Sequence, residues 1–98
     1  MNELVEAVGS GDLAKVKSLV ENGTDVHYGN ESALRYAGSY GQLEVVKYLV
    51  SKGADIHADN DDALIWARVN GYMEVVKYLK GIIRLEERHR RLEEHLQS

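Results

Sequence analysis

His27 and His57 stand thirty residues apart, and His89 and His95 stand six apart. Imidazole is the commonest metal ligand and a general base near neutral pH. Two ligands on one helix face must be three or four residues apart. His89 and His95 therefore cannot share an ion from one helix, and only copies of His89 around a symmetry axis would converge. A thirty-residue separation suits two similar loops, in which each histidine packs or hydrogen-bonds locally. Cysteine is absent, which removes thiolate nucleophiles, thiolate metal sites and disulfides. Gly9-Ser10-Gly11 lacks the lysine and spacing of a phosphate-cradling loop, and no Gly-x-Ser-x-Gly elbow occurs. Carboxylates are plentiful, but no spacing marks a buried pair with a raised pKa. No catalytic residue, metal, cofactor or small-molecule substrate is expected, and the chain does not read as an enzyme.

Charge narrows the partners. The formal net charge of −4 lies wholly in residues 1–80, with eight basic and twelve acidic side chains; residues 81–98 carry four of each. An acidic body lacks the basic stripe that nucleic-acid binding requires. No apolar run approaches the roughly 20 residues that span a bilayer, and no secretory signal pattern opens the chain. A soluble, cytoplasmic protein is expected.

Elements that would position these groups recur at one period. Gly41-Gln42-Leu43-Glu44-Val45-Val46-Lys47-Tyr48-Leu49-Val50 returns as Gly71-Tyr72-Met73-Glu74-Val75-Val76-Lys77-Tyr78-Leu79-Lys80, and more weakly as Gly11 to Val20. Leu4/Leu34/Leu64, Ala7/Ala37/Ala67 and Gly23/Gly53 keep the same offset of thirty. Such a period predicts stacked supersecondary units. Helices are expected over 2–9, 12–21, 31–39, 42–51 and 61–69, with another starting near Tyr72. Asn2, Asp12, Ser32 and Asp62 can cap them, and Gly23 can take a left-handed conformation behind the second. Residues 24–30 and 54–60 read as short extended links. Leu13/Leu43/Met73, Val16/Val46/Val76 and Leu19/Leu49/Leu79 form the expected core face. Lys15 and Ser18 in the first unit and Lys80 in the third replace apolar residues, as sealed stack ends would need.

The repeats resemble ankyrin repeats. Gly53-Ala54-Asp55-Ile56-His57 is similar to the opening of that family's loop, and residues 41–50 to its second helix. The likeness covers about residues 2–80. The short period and Ala63-Leu64-Ile65-Trp66-Ala67 look most like the divergent arrays of giant viruses. The period is below the family's roughly 33 residues, so its finger must be stunted. The family's Thr-Pro-Leu-His appears only as Ser32-Ala33-Leu34-Arg35 and Asp62-Ala63-Leu64-Ile65. The resemblance implies an all-α solenoid of three helix-turn-helix units (about 2–30, 31–60 and 61–80) that binds proteins without catalysis. It also implies that Tyr36, Tyr40, Trp66, Val69 and Asn70 face the concave, partner-docking surface. Aspartates 59, 61 and 62 nearby would favour a basic or amphipathic peptide. Mutual stacking of Tyr36 and Trp66 is the competing role for those rings.

Beyond Lys80 the repeat stops, and residues 81–98 read as a charge-paired amphipathic helix. Ile82, Leu85, His89, Leu92 and Leu96 are spaced 3, 4, 3, 4, an a/d seam. Its phase extends back through Tyr78 and Val75. Two arrangements fit. One is a continuous helix from about 73 to 96 that projects and joins copies into a homo-oligomer. The other is a break at Gly81, with the tail folded back as a cap. The abrupt join also has the look of an engineered fusion or designed oligomer.

Overall fold

The computed structural model describes residues 2–97. Six helices follow in order: α1 (Glu3–Ser10), α2 (Leu13–Glu21), α3 (Tyr28–Ser39), α4 (Leu43–Ser51), α5 (Ala58–Val69) and α6 (Met73–Gln97). No strand occurs among the described residues. Each odd-numbered helix pairs with the next to form a hairpin. Helices α1, α3 and α5 stack as one layer, and α2, α4 and α6 as the other.

The same turn closes all three hairpins. A glycine with positive φ (73° at Gly11, 70° at Gly41, 80° at Gly71) reverses the chain. The next amide then bonds back across it: Asp12 to Ala7 O, Gln42 to Ala37 O and Tyr72 to Ala67 O, at 3.1, 2.9 and 2.8 Å. This satisfies carbonyls that a helix end leaves orphaned. Asn2 and Asp12 cap as expected, accepting from the amides of Val5 and Lys15 at 3.0 Å each.

Residues 24–30 and 54–60 are not extended. Gly29, Asn30 and Glu31 wind left-handed at φ 63°, 55° and 66°, and Asp59, Asn60 and Asp61 do so at 55°, 57° and 64°. Such runs are costly for L-residues, and asparagine and aspartate bear them best. Local hydrogen bonds offset the cost. Asp25 and Asp55 each accept the amide of the histidine two residues on, at 2.9 Å. The imidazole Nδ1 then reaches the carboxylate that ends the run, Glu31 after His27 and Asp61 after His57. Neither Ser32 nor Asp62 caps a helix through its side chain. The Ser32 hydroxyl donates to Gly29 O at 2.7 Å, and Asp62 accepts from Arg35 at 2.9 Å.

The core runs between the layers. Leu4, Leu34, Val16, Val46, Val76, Leu49 and Leu79 are fully buried, each worth about 1.5–3 kcal/mol relative to exposure. Ala37 and Ala67 are sealed in the inter-repeat contact. A Cβ on Gly38 would lie 2.8 Å from Ala63 O, so glycine there sets how closely α3 and α5 approach. Met73 departs from the expected core and is 52% exposed. Ile65 and Val69, on the last first-layer helix, are exposed as well. The C-terminal end of the stack is therefore only partly sealed, despite Lys80.

Helix α6 settles the shape of the tail. It passes Gly81 unbroken for 25 residues, about 37 Å at 1.5 Å per residue, and does not fold back. Ile82 and Ile83 pack at the edge of the core; beyond them the helix becomes exposed.

Candidate protein-interaction surfaces

Two surfaces carry the side chains that the sequence singles out. The first is the extension of α6. Leu85, Leu92 and Leu96 are 63%, 62% and 82% exposed, and all lie on one helix face by their spacing. His89 is exposed on that face and pairs with Glu93 one turn on, at 2.8 Å. Ile82, first in the seam, is half-buried against the third repeat.

The extension is anchored from its other side. His57 Nε2 meets Glu86 Oε1 at 2.8 Å while its Nδ1 meets Asp61. The Glu86 carboxylate, with that of Asp61 behind it, holds the His57 imidazole above its ordinary pKa. Burial opposes this more weakly. His57, Asp61, Ile83, Glu86, Glu87 and Arg90 line an open cleft there. His27 is raised in the same sense by its hydrogen bond to Glu31 and the charge of that carboxylate. The repeated histidines are thus loop-organising groups. Among the described residues, no group of three or more His, Cys, Asp or Glu is placed to hold a metal ion.

The second surface lies on the first-helix layer. Tyr36, Trp66, Ser32, Arg35, Ser39 and Asp62 line a hollow of about 260 Å³. Tyr36 and Trp66 share this hollow, yet Tyr36 stacks on Tyr40 of its own helix, with centroids 6.0 Å apart. The spacing of four residues brings those rings together. Trp66 is left 47% exposed. Val69 and Asn70 do not line the hollow. Val69 is exposed, and Asn70 donates to Ser39 O at 2.9 Å, tying the second and third repeats.

The aspartates expected to draw a basic peptide are already engaged. Arg35 donates to Asp62 at 2.9 Å and forms an ion pair with Asp59 at 3.3 Å, and Asp61 is held by His57. Sequence reasoning missed both the Arg35 clasp and the His57–Glu86 bridge. Arg35 stands where the family's motif has histidine, and that substitution was the only available signal. Across the second-helix layer a ladder also emerges. Lys17 lies 5.7 Å from the Tyr48 ring centroid and Lys47 lies 5.8 Å from that of Tyr78, within cation–π range.

A layered stack of helical hairpins with exposed apolar side chains defines a helical-repeat protein. The chain belongs to the ankyrin repeat family: a family model for ankyrin repeats in three copies matches residues 4–86. Ankyrin repeats are protein–protein interaction modules and generally non-catalytic. A search of curated proteins finds no match. No helix among the described residues is long and apolar enough to cross a membrane.

Proposed function

We propose that this chain is a self-associating interaction scaffold: residues 1–80 form the repeat body, and residues 81–98 join copies into a homo-oligomer. The observation that carries this reading is the exposure of Leu85, Leu92 and Leu96 along one face of a helix that runs clear of its own body. Leaving three leucines in water forgoes several kcal/mol of burial, which a second copy recovers. Light scattering tests it. The intact chain is expected to exceed the 11.0 kDa of one copy, and a Leu85→Lys/Leu92→Lys variant to return to it. A monomeric intact chain would sink the reading.

One specific feature favours a second use of the same body. The hollow between Tyr36 and Trp66 leaves both rings accessible beside a neutralised Arg35–Asp62 pair. That suits an amphipathic peptide with an apolar anchor better than a strongly basic one. Should the intact chain prove monomeric, this hollow becomes the leading interaction surface.

A further inference from the structure

The flanks of the α6 seam differ in charge, and that difference selects an orientation. Take Ile82, His89 and Leu96 as position a of a heptad, with Leu85 and Leu92 as position d. Position e is then Glu86 and Glu93, and position g is Gly81, Arg88 and His95. In parallel pairs a g side chain meets the following e side chain of the other helix, whereas antiparallel pairs bring e to e and g to g. Resting on the self-association reading above, we propose that the copies pair in parallel, with their α6 extensions side by side and every repeat body at the same end.

In the parallel arrangement Arg88 faces Glu93 of the partner subunit. Arg88 is exposed and makes no ion pair with any described residue of its own chain, so it is free for that contact. The g position one heptad earlier is Gly81, which offers nothing to Glu86 of the partner subunit. That glutamate needs nothing, because His57 of its own chain holds it at 2.8 Å. Hence each glutamate at position e has a cationic or imidazole partner. Antiparallel registers that overlap the exposed seam instead set glutamate against glutamate along one flank. Along the other they set Arg88 against Arg88 or His95 of the partner subunit. Like charges at these positions oppose association. The unbroken helix through Gly81 is also required, since a bend there would carry the seam away from the body that fixes its heading.

The chain contains no cysteine, so single introduced thiols report orientation directly. Leu85→Cys, at position d, and His89→Cys, at position a, are prepared separately, because antiparallel helices set a against d whereas parallel ones set like against like; their masses are measured alongside that of the unsubstituted chain. Each is then oxidised with glutathione under native conditions, alone and as a mixture. Parallel pairing predicts that each variant forms a disulfide dimer with itself. A link that appears only in the mixture would establish antiparallel pairing and overturn the proposal. An oligomeric mass without any link would also overturn it, while leaving self-association through another face. A monomeric unsubstituted chain would instead remove the reading beneath it. Glu93→Arg supplies a second test that does not depend on thiol geometry. It is expected to weaken a parallel assembly several-fold by setting Arg88 against a new arginine. Stronger association would overturn the proposal, since an antiparallel pair would gain a contact to Glu86.

Discussion

His57 does more than a loop residue needs to do. Its two ring nitrogens bridge Asp61, which closes the left-handed run, and Glu86, on the extension of α6. Both carboxylates favour the charged imidazole, so the folded-state pKa lies above the unfolded value near 6.5. The sign follows from linkage. The folded chain binds the proton more tightly, so the bridge contributes fully below about pH 6.5 and is lost as pH rises through the raised value. The Tm difference between the native chain and His57→Gln should therefore be larger at pH 6 than at pH 8. Equal differences at the two pH values would show that the bridge does not depend on protonation. At this scale the sequence was only partly legible. The offset of thirty marked His27 and His57 as equivalent loop groups. Glu86 lies 29 residues from His57, in a segment outside the repeat, so no periodicity could pair them. The aromatic partner was misread for a related reason. Equivalent positions suggested Tyr36 against Trp66, but Tyr36 stacks on Tyr40, four residues along the same helix.

Two glycines inside helices show how element geometry decides a substitution. At Gly81 a Cβ would meet nothing within 4 Å, and φ is not positive. Gly81→Ala should stabilise the chain by about 0.5–1 kcal/mol, the usual helix-interior gain. At Gly38 the same methyl would lie 2.8 Å from Ala63 O and 3.2 Å from its Cα. Overpacking typically costs about 1–3 kcal/mol, which outweighs the helical gain, so Gly38→Ala should destabilise. Urea unfolding of the pair checks both directions. The elements themselves were largely readable. Helix positions follow the apolar spacing to within a residue or two, and Asn2 and Asp12 cap as their types suggest. The starts of α3 and α5 were not readable. A left-handed run leaves no apolar period, and its sequence of small polar residues looks like any link.

Across the whole molecule, stability should depend on how many neighbours a repeat has. Each unit buries its apolar face only on adjacent units, and the middle repeat is enclosed from both sides. Leu49 is fully buried, while its counterpart Leu19 in the first repeat is only partly so. Leu49→Ala should cost about 2–5 kcal/mol, and Leu19→Ala clearly less, by urea denaturation. The three-unit architecture was legible throughout, because an offset repeated at many positions encodes stacking directly. The exposure of Met73 was not, because the sequence pattern marks Met73 as the counterpart of Leu13 and Leu43 without showing how much of it each neighbour covers.

That open edge has a bearing on whether a further hairpin could be accommodated. Position 38 is glycine and lets the next hairpin press against bare backbone; thirty residues later the same place holds Arg68, exposed. Duplicating the last unit in tandem would trap a guanidinium against a carbonyl-lined wall, without a carboxylate supplied by the pattern. Lys77, heir to Lys17 and Lys47, would find its aromatic rung only if that obstacle were removed. Arg68→Gly would clear that obstacle for a further hairpin docked on the same face.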